Sequence, residues 1–404
     1  MTLPNKGGLM GKRRLPYVLL THPLEHIQIV RAKNAHIWDS NGHRYADFES
    51  GIWCAALGHG HPSIRKVLYN QLKQLIHVGK RFTNEPAGIA ARALLELLPW
   101  QGGKALFLSS GSEAVELSIR IARIVANRPK LLTFSQSYLA AFGEAGTFLG
   151  HPDWVKIDLA SCIQCMEWAC SMKCGTLAAI DFSRIAAFVL EPGCSGGRIL
   201  FPPHRVVEWL ASRIQSGGGL IIVDEVTTGL GRTGRTFGFE HYRIVPDIVA
   251  VGKALGNGYP ISAVAVSKSV ASALETKAFS YVQSHLNDPL GCAVAAEVIR
   301  LIRKEKLVSR AAHLGKLFLE RLGRISSHSD VAEVRGRGLM IGVEFKYADQ
   351  NVEGRLTGVW RTMLERGFIL GITPRANVLR FLPPLTIPED EIMAAVDNLE
   401  EVLA

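Results

Sequence analysis

Two residues in this chain have the types and setting to do chemistry together: Asp224 and Lys253. Leu220-Ile221-Ile222-Val223 runs straight into Asp224, and Ile248-Val249-Ala250-Val251 leads through Gly252 to Lys253. Such apolar runs read as fully buried strands of a parallel sheet. They deliver polar side chains to the carboxyl edge, where open α/β sheets bind ligands. A carboxylate and an amine buried there are costly unless each finds a partner. A heterocycle offering a ring nitrogen to the acid and an aldehyde to the amine would satisfy both. Lys253 follows four apolar residues and a glycine and precedes Ala254-Leu255-Gly256, which favours burial over a solvated loop. A desolvated amine has a depressed pKa and becomes nucleophilic towards carbonyls.

The elements that must position these two ends alternate along the chain. Ala105–Leu108 reads as a short buried strand, 109–112 as a turn, and Glu113–Ala126 as a helix. Strands at 131–134 and 186–190 come next, then a helix near 204–216 and the run ending in Asp224. This alternation predicts an α/β fold with a large doubly wound, mostly parallel sheet. After Pro289 strict alternation stops: a helix to Lys304, strand-like 339–345 and 378–381, and a C-terminal helix from Pro388 predict a smaller α+β domain. Residues 26–50 read as a hairpin about Ser40-Asn41-Gly42. Helices are expected after Pro62 and from Pro86 to Leu98. The domain reading is 1–50 as an N-terminal segment packing with the small domain, 51–288 as the large domain, and 289–404 as the small one.

The 404 residues, 48% hydrophobic and 20% charged, supply a sizeable core and argue against disorder. No apolar run approaches membrane-spanning length, so no membrane partner is expected. Met1 to Lys6 lacks the apolar core of a signal peptide, and seven cysteines without a disulfide framework fit a reducing cytoplasm. The net charge of +10 is spread over scattered lysines and arginines, Lys12-Arg13-Arg14 being the tight cluster. Without a basic stripe interleaved with aromatics, nucleic acid is not expected as a partner.

Other motifs carry two readings each. Ser109-Ser110-Gly111-Ser112-Glu113 is either a phosphate cradle at a helix N-terminus or a plain N-cap with its capping glutamate. Gly229-Leu230-Gly231-Arg232-Thr233-Gly234 spells a dinucleotide fingerprint, but Phe237-Gly238-Phe239-Glu240 just beyond it is a poor helix start, so a nucleotide-binding protein is the remote alternative. Cys162, Cys165, Cys170 and Cys174 have spacings that could furnish a metal. On a continuous helix they span about half the circumference, too wide for one ion, so the expectation is no metal and a semi-buried amphipathic helix. Arg380 is either a bidentate carboxylate binder or an ordinary ion-pair partner.

Together these stretches resemble the class III (ornithine/GABA-type, or ω-) aminotransferases of pyridoxal 5'-phosphate (PLP) fold type I. The resemblance runs from Ile37-Trp38-Asp39-Ser40-Asn41-Gly42 through Leu57-Gly58-His59-Gly60-His61-Pro62 to Leu382-Pro383-Pro384-Leu385. Its most specific part spans Asp224, Gly229 to Gly234, Pro246-Asp247-Ile248 and Lys253. PLP carries both groups sought above. The resemblance implies that Lys253 holds PLP as a Schiff base and shuttles protons, and that Asp224 pairs with the ring nitrogen. Ser110, Gly111 and Ser112 match the phosphate turn, Tyr138 the ring-stacking aromatic, and Val226 the residue under the opposite face. Thr227 stands where a glutamine usually bonds the ring hydroxyl. Ser284 matches a residue that reaches the phosphate of the neighbouring subunit, which implies a homodimer with shared sites. Arg380 matches the arginine that binds the substrate α-carboxylate.

Departures from the family's pattern bear on the substrate. Tyr138-Leu139-Ala140 replaces the usual Tyr-His-Gly. After Glu191-Pro192 the chain lacks the extra glutamate that GABA- and ornithine-type members use to neutralise their arginine. A substrate without a carboxylate would then leave Arg380 unpaired, which disfavours a GABA or diamine assignment. Ser195-Gly196-Gly197 and Asn287-Asp288-Pro289 look closer to dialkylglycine decarboxylases, but Ile52 stands where those carry a glutamine. The expected activity is transamination between an amino acid or amine and a 2-oxo acid; decarboxylase, aminomutase or epimerase chemistry is the alternative.

Overall fold

The computed structural model describes residues 17–22, 24–167, 169–346 and 352–404. The Met1 to Lys6 segment, the Lys12-Arg13-Arg14 cluster and Trp168 lie outside them.

Strands β1 (Ile29–Lys33), β2 (His36–Asp39) and β3 (Arg44–Asp47) form an antiparallel meander, with the expected turn at Ser40–Gly42 joining β2 to β3. The turn is held by Asp39, whose Oδ1 accepts the N–H groups of Asn41 and His43, both at 2.9 Å.

The central sheet holds β4 (Lys104–Leu108), β5 (Lys130–Phe134), β6 (Trp154–Ile157), β7 (Ile185–Leu190), β8 (Leu220–Asp224), β9 (Ile248–Val251) and β10 (Ser262–Val266), in the order β4-β10-β9-β8-β7-β5-β6. All pairings from β9 to β6 are parallel; β10 runs antiparallel to both its neighbours. β7 and β9 are buried along their whole length, as continuous apolar runs require. β6 and β10 were not anticipated, because each is a short run of mixed or small residues. Helices Gly111–Ala126 and His204–Ser216 come after β4 and β7 and pack on the sheet.

The C-terminal region supplies β11 (Val331–Arg337) and β12 (Met340–Phe345), then β13 (Phe368–Ile369), β14 (Gly371–Thr373) and β15 (Val378–Phe381). β13 pairs in parallel with β3, so this region completes the N-terminal sheet. The others form a sheet in the order β11-β12-β15-β14. Helix Pro289–Lys304 packs on helices Glu85–Leu95 and Pro62–Gln74.

The cysteine segment departs from expectation. Its helix covers only Leu159–Gln164, and Cys165 turns extended at φ −62°, ψ 125°. Arg205 supplies the reason: its Nη2 donates to the carbonyls of Cys162 (2.7 Å) and Cys165 (2.8 Å), drawing the chain out of helical continuation. The amphipathic helix expected here is corrected to a short helix and a loop.

Candidate active site

Asp224 pairs across the ladder with Ala250, so Lys253, three residues past Ala250, emerges beside it at the carboxyl edge. Asp224 is buried, and its Oδ1 accepts the Val226 N–H at 3.0 Å. Burial pushes its carboxyl up from the usual range, opposed by that N–H and by the Lys253 charge. Burial pulls the Lys253 amine down, opposed chiefly by Asp224. Lys253 has φ +39°, a left-handed conformation that is strained for a residue with a side chain. Its Nζ donates to Thr227 Oγ1 at 2.9 Å and lies 5.1 Å from the Trp53 ring centroid. The hydroxyl at 227 is thus engaged by the lysine.

Glu191, in the sequence only a landmark before Pro192, is a second buried carboxylate of the site. Its Oε1 accepts from Ser195 N–H (2.9 Å) and Oγ (2.5 Å), and its Oε2 from Tyr138 N–H (2.9 Å). Burial first, and then the Asp224 charge, raise its pKa.

The turn at 109–113 forms the N-cap with its capping glutamate. Ser110 caps helix Gly111–Ala126: its Oγ accepts the Glu113 N–H, while Glu113 Oε2 accepts the Ser110 N–H at 2.7 Å. That box uses the cap and the glutamate and leaves the first-turn N–H groups of Gly111 and Ser112 open to an anion. Gly111 lets this helix start approach Val226 closely, since a Cβ there would lie 2.6 Å from Val226 Cγ1. A Cβ on Gly252 would meet the same methyl at 3.3 Å, so Val226 packs between the helix start and the lysine strand. Ser112 Oγ accepts the Ala141 N–H at 2.9 Å.

Two predicted residues stand apart from this group. The Tyr138 side chain is 50% exposed. Ser284 is exposed and makes no hydrogen bond among the described residues. Its loop is pinned to β4 by Asn287, whose Oδ1 accepts the Phe107 N–H at 2.8 Å.

Arg380 in β15 brings a correction. It is not left without a carboxylate: Glu49 Oε1 lies 3.3 Å from its Nη2, and both side chains are largely buried. Burial raises the Glu49 pKa, and Arg380 opposes it. Gly371 makes room for the pair, because a Cβ there would fall 1.8 Å from Glu49 Oε1. The guanidinium lies 5.2 Å from the Trp53 centroid, so one indole stands beside both the arginine and the lysine. Trp53 is presented by Ser50 to Trp53, whose φ values of +43°, +60°, +56° and +70° wind left-handed. The sequence hint for this turn was Gly51 alone. Ile52 points outward, 63% exposed.

The glycine motif opens no helix of its own; Gly229 to Thr233 lie in turns. Its Arg232 is fully buried, and Nη1 donates to the carbonyls of Leu339 (3.1 Å) and Pro383 (2.5 Å). Desolvation lowers its pKa to about 9. The motif latches the sheet edge to the C-terminal region.

PLP fits these residues. An acid and an amine on adjacent strand ends match its ring nitrogen and aldehyde. A helix N-terminus that excludes any side chain at Gly111 matches its phosphate. The comparisons agree. The aminotransferase class-III family model matches residues 20–403. The chain is 31% identical over 389 residues to an acetylornithine aminotransferase of Methanothermobacter thermautotrophicus, covering 96% of each. It is also 31% identical over 405 residues to a leucine/methionine racemase of Thermococcus litoralis, covering 94% of this chain and 90% of the relative. Among solved structures, the ornithine aminotransferase of Toxoplasma gondii, described with partial occupancy of PLP at its active site, matches with a TM-score of 0.82 and 29% identity, covering 96% of this chain and 92% of that one. The chain belongs to the class III aminotransferases and is a PLP-dependent enzyme of α/β fold type I.

Proposed function

We propose that Lys253, Asp224 and the Ser110–Ser112 cradle carry a transamination between a primary amine or amino acid and a 2-oxo acid bound through its carboxylate to Arg380. The observation that carries this reading is the Asp224–Lys253 arrangement on the adjacent ends of β8 and β9. When bound, PLP supplies an aldehyde for the amino group and a cationic ring that withdraws electrons from the substrate carbon. Asp224 keeps the ring nitrogen protonated. Lys253 Nζ, its proton affinity lowered by burial, takes a proton from the substrate carbon and returns it one position along. Thr227 Oγ1 holds that amine when it is idle. Val226 supports one ring face, and Tyr138 closes over the other.

Glu49 gives Arg380 two uses. A 2-oxo acid displaces Glu49 and takes the guanidinium; a donor without a carboxylate leaves the pair closed, so the arginine is never unpaired. This admits amine donors that the chain's missing glutamate had argued against.

The working unit is a homodimer in which Ser284 reaches the partner's phosphate. Its support is exposed apolar surface on and between helices Pro62–Gln74 and Glu85–Leu95: Tyr69, Leu72, Ile76, Phe82 and Ile89 are each more than half exposed. A cytoplasmic setting agrees with seven free cysteines, and no helix among the described residues is long and apolar enough to cross a membrane.

The test is incubation with a panel of amines and pyruvate or 2-oxoglutarate, with product analysis. Borohydride should fix the cofactor to the Lys253 peptide, and an amine-for-oxo exchange should be seen. A wild-type protein that never takes up PLP would sink the reading. The racemase relative gives one second outcome to score: inversion of an amino acid without a 2-oxo acid.

A further inference from the structure

Between β6 and β7, six of the thirteen residues from Cys162 to Cys174 carry sulfur: Cys162, Cys165, Met166, Cys170, Met172 and Cys174. Burial does not account for them. Cys165 and Cys174 are exposed, and Met166 is 96% exposed. Cys162 and Cys170 are half-buried against the core. All four thiols are free.

Helical spacing argued against one metal, but the helix ends at Gln164, and no helix or strand intervenes before Gly175–Ala178 among the described residues. Cys162 sits in the last turn of the helix, Cys165 caps it, and Cys174 caps the next short helix. Cys165, Cys170 and Cys174 thus lie on non-helical chain, free of the half-circumference spread that a continuous helix would impose. Arg205 binds the carbonyls of Cys162 and Cys165 from one guanidinium nitrogen, which fixes the backbone at these two residues. A fixed backbone orients ligands. Asp158 anchors the near end, its Oδ2 accepting the Ser161 N–H at 3.0 Å.

We propose that Cys162, Cys165, Cys170 and Cys174 bind one zinc ion as a tetrathiolate, at a structural site separate from the PLP cleft. Soft sulfur donors select zinc over hard cations, and four thiolates close a tetrahedron. Among the described residues no three of these thiols lie within 4.8 Å of one another. The sulfur–sulfur edge of a zinc tetrathiolate is about 3.8 Å, from Zn–S distances of about 2.3 Å. Binding therefore draws the four thiols together. The segment connects β6 to β7 and is tied to Arg205 at the start of helix His204–Ser216, whereas Lys253 follows β9. Each thiol gives up its proton as zinc binds. Binding therefore weakens as pH falls.

The test uses PLP-loaded full-length protein from zinc-supplemented cultures, desalted and assayed for metals. One zinc per chain is expected, and cobalt exchanged into the site should give the thiolate charge-transfer and d–d bands of a tetrahedral centre. The Cys165→Ser/Cys174→Ser double variant changes only exposed residues. It should lose the zinc and the cobalt bands while keeping its PLP content and turnover. The proposal is overturned by wild type that retains no zinc, by disulfides among the four residues, by iron with inorganic sulfide in place of zinc, or by a double variant that still holds zinc. In the last case the ion would belong elsewhere, for example to His77, His285 and Asp288, whose ligand atoms do lie within 4.8 Å of one another. Should the double variant fail to fold, the cobalt spectrum of the wild type still decides.

Discussion

Glu49 Oε1 stands 3.3 Å from Arg380 Nη2, in a gap that only a glycine at 371 leaves open. The arginine therefore has a resident counter-charge that a substrate carboxylate must replace. Glu49→Gln removes it. The expected result is a lower KM for the 2-oxo acid and a fall of at least about tenfold in kcat/KM for donors without a carboxylate, equivalent to about 1.4 kcal/mol. Steady-state kinetics on one donor of each kind checks this. Equal changes for both would show that Glu49 does not gate Arg380.

Lys253→Ala removes the group proposed to hold PLP and carry the proton. Turnover should fall by about 10³-fold or more. Borohydride should no longer link cofactor to the chain, as read by intact mass.

Asp224 and Glu191 make the stability of the PLP-free protein depend on pH. Both carboxyls are raised by burial, and the Asp224 charge raises Glu191 further. The unfolded chain releases these protons near the ordinary carboxylate value of about 4. Between there and the higher folded values the folded state binds more protons, so stability falls as pH rises. The apo-protein should melt at a lower temperature at pH 8.5 than at pH 5.5. Asp224→Asn should raise the pH 8.5 melting temperature while lowering turnover on the order of 10²-fold. A variant that loses both stability and turnover would contradict this division.

Gly111→Ala tests the cradle without adding charge. A methyl 2.6 Å from Val226 Cγ1 must push the helix start or Val226 aside. PLP affinity, read by titrating apo-protein, should weaken at least about tenfold, a shift of about 1.4 kcal/mol. Far-ultraviolet circular dichroism should be unchanged.

Arg232→Met tests the latch. Two carbonyls, those of Leu339 and Pro383, lose their donor. The expected loss is about 3 kcal/mol, seen as a lower urea midpoint. An unchanged midpoint would remove the latch from the account.

Legibility in the sequence depends on how local the signal is. Asp224 and Lys253 each close an apolar run, and a buried parallel strand has few other readings. The capped helix start at Ser110–Ser112 was legible because helix caps are coded within four residues. Glu49 was not: it meets Arg380 across some 330 residues of chain, and only the meeting of β3's end with β14 and β15 makes them neighbours. Glu191 stands out in the sequence as a landmark, but its burial beside Asp224 depends on the register of β7 on β8. The helix expected through the cysteines failed because Arg205, forty residues on, competes for its carbonyls. Strand β10 escaped notice because Ser262–Val266 alternates small residues, which carry little periodic signal.

The indole of Trp53 reaches its place beside two cations on a turn of the wrong hand. Left-handed winding costs about 1–2 kcal/mol per non-glycine residue, and Ser50, Ile52 and Trp53 are three such residues in a row of four. A right-handed turn of the same length would send the ring the other way. The hand of the turn thus sets where the ring stands relative to the lysine and the arginine. Replacing Ile52, which faces outward, by glycine would remove its share of that cost and favour the left-handed turn.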